Sequence, residues 1–117
     1  MTTPQRLPLD VYRGDTHHWT LTLWTDQAAT APFDLTDATA KAEIRRPGGG
    51  PLLATIDTAI TLPNTVDLLL PADASAALPG RVGWDLQLTF GDGSVRTACA
   101  GPVTVTADVT DALAVTA

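Results

Sequence analysis

Apolar and polar residues alternate along most of the chain. From His17 to Trp24, Trp19, Leu21 and Leu23 hold one parity while His18, Thr20 and Thr22 hold the other. Successive side chains of an extended strand point to opposite faces, so a period of two predicts a half-buried strand. The pattern is longest from Arg81 to Phe90, where Val82, Trp84, Leu86, Leu88 and Phe90 share a face and Asp85, Gln87 and Thr89 oppose them. Between Thr39 and Arg45, Ala40, Ala42 and Ile44 alternate with Lys41, Glu43 and Arg45, and residues 64–70 supply another strand.

Turn residues punctuate these runs. Gly91-Asp92-Gly93-Ser94 joins the Trp84 strand to Val95–Cys99, and Asp-Gly between alternating runs predicts a hairpin whose central residues take positive φ. Pro47-Gly48-Gly49-Gly50-Pro51 is a loop, with Leu52 to Thr58 returning as the partner strand. Gly101-Pro102 is expected to break or bulge the last strand before Val103–Thr106, and to sit at an edge or a bulge, since proline has no N–H to give a ladder. Pro71 to Leu78 favours a helical turn, which Pro79-Gly80 stops at once. The sum is an all-β domain, read as an antiparallel β-sandwich of about seven or eight strands with one short helical turn; a small barrel has the same signature. One domain spans residues 1–117, with its core at about 7–110 and the termini 1–6 and 111–117 expected to be loose.

Composition narrows the function classes. The 117 residues carry 7 basic and 13 acidic side chains, a net charge of −6, which opposes general nucleic-acid binding because that requires a cationic face against phosphates. Hydrophobic residues make up 44% and charged residues 17%, which argues for a packed domain over a disordered one. The opening Met1-Thr2-Thr3-Pro4-Gln5-Arg6 lacks a basic-then-apolar signal pattern. No apolar run approaches the roughly 20 residues of a membrane helix. Cys99 is the single cysteine, so an intrachain disulfide and a cysteine-based zinc site are both excluded. Synthesis in a cytosol without membrane insertion is expected.

Candidate chemistry is sparse. His17 and His18 are adjacent, so on a strand they face opposite ways and cannot share a metal ion. Ser75 and Ser94 lack a nucleophile-elbow context, and Cys99 reads as an inert core thiol. The aspartates are scattered through turns, where such side chains cap backbone N–H groups. The Gly48-Gly49-Gly50 run has no following Lys-Ser/Thr to make a phosphate loop. Arg13-Gly14-Asp15 reads as a turn leading Tyr12 into the Trp19 strand. No catalytic residue, cofactor or metal is expected. Surface remains: Trp19 and Trp84 belong to the core by parity, whereas Trp24 is off-register and is a candidate partner anchor. Pro102, Thr104 and Thr106, along the final strand, complete the candidate interaction residues.

The order of these motifs resembles a known family. Tyr12-Arg13-Gly14-Asp15 precedes an alternating strand; Pro32-Phe33-Asp34-Leu35-Thr36-Asp37-Ala38-Thr39 leads to a strand ending in Ile44-Arg45; Gly80 to Thr89, Gly91-Asp92-Gly93, Ala100-Gly101-Pro102-Val103-Thr104-Val105 and Asp108-Val109-Thr110 follow. Together they are similar to the small β-sandwich domain of tailed-bacteriophage virion proteins (the LtfC-type sandwich), and to the amino-terminal domain of upper-baseplate proteins. The resemblance covers about residues 9–110. It implies a non-enzymatic structural part of the virion, made in the host cytoplasm: a tail- or baseplate-associated adaptor or ring subunit. Its implied partners are other virion proteins and further copies of itself on a symmetric particle. Larger relatives continue beyond the Asp108-Val109-Thr110 position into a fibre or receptor-binding module, so a chain without one is expected to connect or coat. Two alternatives accompany this: a capsid head-decoration protein of the same fold, and a carbohydrate- or host-surface-binding module with Trp24 as a stacking platform.

Overall fold

The computed structural model describes residues 5–26, 28–47 and 50–106. They are mostly β: β1 (Gln5–Arg6), β2 (Leu9–Tyr12), β3 (His17–Thr22), β4 (Thr39–Arg45), β5 (Leu52–Thr61), β6 (Thr65–Leu70), helix α1 (Ala72–Ala76), β7 (Arg81–Thr89) and β8 (Val95–Thr106). Hydrogen bonding runs without interruption in the order β1-β8-β7-β4-β5-β6-β3, with β2 also on β8. The result is a curled half-barrel. The continuity comes from β5, which extends past the expected Thr58 to Thr61. Its residues Leu52 to Ile56 pair with β4, and Asp57 to Thr61 pair with β6. A long twisted strand can serve both neighbours and turn the sheet over the core.

The inward parity is the one the sequence predicts. Ile44, Val82, Trp84, Leu86 and Leu88 are buried, joined by Val11, Ile56, Val66, Leu68, Leu70 and Val103. Trp19 packs against this core on the expected face. It is only partly buried and stacks on His17, with ring centroids 5.5 Å apart and planes within 9°.

Two features of the first and last strands were not anticipated. Gln5–Arg6 and Leu9–Tyr12 pair parallel to β8, so the sheet is not wholly antiparallel and its pairing starts ahead of residue 7. In addition, β8 runs unbroken through Gly101-Pro102 as an interior strand. The bulge lies at Ala98 instead, since Leu86 faces Cys99 while Gln87 faces Thr97. Pro102 fits an interior strand because the neighbouring lane is interrupted beside it: β1 ends opposite Ala100 and β2 resumes opposite Val103. A missing donor there costs no ladder bond.

Leu7, in that gap, is held from two sides. Its N–H donates to the Ala100 carbonyl at 2.9 Å, and its own carbonyl accepts the Trp84 indole N–H at 2.8 Å. Trp84 and Gly101 are directly opposed in the β7–β8 register. Gly101 has no side chain on the inward face, so the indole crosses it to reach Leu7.

The turns follow side-chain chemistry. Gly93 N–H donates to the Phe90 carbonyl at 2.9 Å and Gly93 has φ 88°. The hairpin is thus a type I turn closed by a left-handed glycine, with one positive φ where two were expected. Arg13-Gly14-Asp15 is a turn stitched to α1. The buried Ser75 hydroxyl accepts the Gly14 N–H at 3.0 Å and donates to the Asp15 carbonyl at 2.7 Å, while Arg13 Nε donates to the Leu78 carbonyl at 2.9 Å. The expected helical turn is shorter than residues 71–78, with Pro71 as its N-cap.

Candidate interaction surface

The sequence-derived candidates fall in two places. Trp24 lies just past β3, 40% exposed and bridged to Pro32. Its loop is closed by Asp26, whose Oδ1 accepts the N–H groups of Thr30 and Ala31; Gln27, beside it, lies outside the described residues. Pro102, Thr104 and Thr106 lie on the outer parity of β8, near the other end of the strand path. Thr104 and Thr106 are exposed and stand opposite Asp10 and Tyr12 of β2. Pro102 and Thr104 thus share a strip that does not include Trp24. Asp108, Val109 and Thr110 lie outside the described residues.

Around Pro102 the structure builds a feature that sequence reasoning missed. The outer face of β4, β7 and β8 carries an open cleft of about 560 Å³. Gly83, Ala100 and Pro102 make a low apolar floor, and Arg45, Arg46, Arg81, Glu43 and Asp85 stand around it. Register explains the grouping: Arg45 faces Gly83, which faces Pro102, and Glu43 faces Asp85, which faces Ala100. Gly83 and Ala100 leave the middle low. The outward parity of these residues was legible, whereas the register that aligns three strands was not.

The two carboxylates differ. Glu43 is held below the usual carboxylate range, first by its hydrogen bond from Arg45 at 3.0 Å and further by Lys41 at 3.5 Å. Asp85 is pushed upward, mainly by burial and then by the facing Glu43 charge, against a smaller opposing effect of Arg45. Arg45 also reaches the Gly50 carbonyl at 3.3 Å. Among the described residues no ion-pair partner falls to Arg46 or Arg81, so these two guanidiniums present unspent donors at the rim.

Several other ionisable groups are engaged or enclosed locally. His17 engages the backbone of Tyr12, whereas His18 lies 3.6 Å from Asp67 on the opposite face. Cys99 is buried, and burial pushes its thiol pKa up, away from a reactive thiolate. Asp34 and Asp92 each accept a backbone N–H and a hydroxyl two residues ahead. Chemically, the cleft offers anion recognition by guanidinium groups over an apolar floor. No protein-family model matches the chain, and no curated protein is significantly similar to it.

Proposed function

We propose that this chain is a structural component of a tailed-bacteriophage particle, a tail- or baseplate-associated adaptor or ring subunit that docks through strand edges and outer faces. The observation that carries the reading is the pair of open ends of the strand path. Among the described residues β3 pairs only with β6, and β1 and β2 pair only with β8, so each end leaves backbone groups suited to strand addition by another subunit. The motifs behind the family resemblance support it by their positions: the Arg13-Gly14-Asp15 turn, β7, the Asp92-Gly93 hairpin and the Gly101-Pro102 segment all build the sheet or its connections. In this reading the half-barrel is a two-layer sandwich, with β5 as the strand shared between layers.

Mass spectrometry and cryo-EM of purified particles test it. The expected result is this chain in a symmetric, repeating copy number; its absence from purified particles overturns the reading. Cross-linking to a tail protein or to the major capsid protein separates the tail assignment from head decoration. The 40% exposure of Trp24 favours a second reading, the carbohydrate-binding surface. Glycan-array binding that is lost in Trp24→Ala supports it, and binding unchanged by that substitution removes Trp24 as the platform.

A further inference from the structure

We infer that the arginine-rimmed cleft on the outer face of β4, β7 and β8 receives the acidic stretch around Asp108 and Asp111 of a second copy of this chain. The inference rests on the reading of the protein as a repeating subunit, and it names the surface through which copies join.

Charge distribution is the first argument. The chain has only seven cationic side chains against thirteen acidic ones, yet Arg45, Arg46 and Arg81 converge on one cleft and outnumber the two carboxylates there, Glu43 and Asp85. Arg45 is committed to Glu43, whereas Arg46 and Arg81 have no ion-pair partner among the described residues. Guanidinium groups bind carboxylates with two parallel hydrogen bonds, so a pair of them suits an acidic peptide. The floor adds apolar area from Ala100 and Pro102. Beyond Thr106 the sequence reads Ala107-Asp108-Val109-Thr110-Asp111. It offers two carboxylates with an aliphatic residue between them, complementary to two guanidiniums over an apolar floor.

Chain direction favours a second copy over the chain's own segment. β8 passes the cleft at Ala100 to Pro102 and then runs onward to Thr106, four residues further. At about 3.3 Å per residue, that carries the chain roughly 13 Å past the floor. Asp108 follows only two residues later. Arg46 stands at the end of β4, two strands across from β8, about 10 Å laterally at the usual strand spacing. Asp108 of the same chain would need to reverse at once and cross that distance, whereas a neighbouring copy can lay both aspartates along the rim.

Sedimentation velocity on the full chain tests this across a concentration series, with circular dichroism confirming the fold of each variant. The unaltered chain is expected to self-associate, less so at high salt. Arg46→Glu with Arg81→Glu, or Asp108→Lys with Asp111→Lys, should each weaken association about tenfold, the scale of two surface ion pairs. The deciding sample is the mixture of the two double variants. Each cleft then meets an oppositely charged segment only on the other kind of chain, so association recovers in the mixture and not in either component. A chain that stays monomeric, double variants that associate like the unaltered chain, or a mixture that fails to recover overturns the inference. Where any of these occurs while the chain is still found in purified particles, the structural-subunit reading stands and only this docking site falls; absence from particles overturns that reading instead.

Discussion

Three residues from distant parts of the sequence, Leu7, Trp84 and Gly101, meet between β1 and β2. A Cβ on Gly101 would lie 2.5 Å from the Leu7 carbonyl oxygen and 2.8 Å from its carbon, so even a methyl group must displace backbone. Gly101→Ala is therefore expected to lower stability by about 1–3 kcal/mol, the usual range for overpacking. Trp84→Phe keeps most of the ring but strips the Leu7 carbonyl of its donor, with a loss of about 1–3 kcal/mol. Urea denaturation measures both. The two effects should be non-additive, because each loosens the same segment. Asp85 gives a prediction of the opposite sign. Its pKa is raised in the fold, so the folded state binds more protons than the unfolded chain as pH falls from neutral into the carboxylate range. The stability deficit from its charge is thus greatest at neutral pH and disappears as the pH drops through that range. Asp85→Asn should raise the neutral-pH Tm, by about 0.2–1 kcal/mol of stability for relief of the facing Glu43 charge, with the gain shrinking on acidification. The inward place of Trp84 was legible from parity. The need for glycine at 101 was not, because it depends on Leu7 lying beside that residue, and parity says nothing about neighbours across a sheet.

Elements repeat the same division between what a period reveals and what it hides. β3, β4, β6 and β7 follow the alternation closely, while β1 and β2 went unseen although Leu7, Leu9 and Val11 alternate with Pro8, Asp10 and Tyr12. Pro8 lies between the two strands, and a proline interrupts so short a run as a ladder donor; the interrupted lane beside Pro102 shows how the pairing continues around it. The Gly101-Pro102 expectation erred for the same reason. A proline excludes a ladder bond at one residue, and whether it must sit on an edge depends on the neighbouring strand. Helix α1 has a role that its five residues do not advertise, as the anchor of the 13–15 turn. Ser75→Ala removes the acceptor of the Gly14 N–H and the donor to the Asp15 carbonyl. A loss of about 1–3 kcal/mol is expected for polar groups left unpaired, and amide exchange at Gly14 should accelerate more than exchange in β7. The aspartate-capped loops behave differently. The pKa values of Asp34 and Asp92 are lowered, chiefly by hydroxyl hydrogen bonds from Thr36 and Ser94. Their contribution is present above the ordinary carboxylate range and is lost as pH falls through the lowered values. NMR titration should show both turns loosening in acid while β7 remains protected.

At the scale of the molecule, the curl gives the described residues an inside filled by aliphatic side chains and an outside that carries an open edge at each end of the strand path and a charged cleft. In the proposed reading that division separates strand addition at the edges from side-chain recognition at the cleft, and each can be blocked alone. The β3 edge offers the cleaner test. Leu23 N–H donates to the Asn64 carbonyl at 2.8 Å, in line with the antiparallel β3–β6 register. Donors alternate sides along an antiparallel strand, so the N–H groups of Thr20 and Thr22 point away from β6 toward the open edge. Thr20 is committed to Asp67 through its hydroxyl at 2.8 Å, which leaves Thr22 as the place to intervene. Thr22→Pro removes an outward donor and no bond to β6, and edge strands tolerate such a proline. The variant should fold, with a far-ultraviolet spectrum like that of the unaltered chain. If a neighbouring subunit adds a strand here, its incorporation into particles should fall sharply, while self-association through the cleft persists in sedimentation. Incorporation at the unaltered copy number would place the contact elsewhere, and the parallel edge of β1 and β2 would become the next to block.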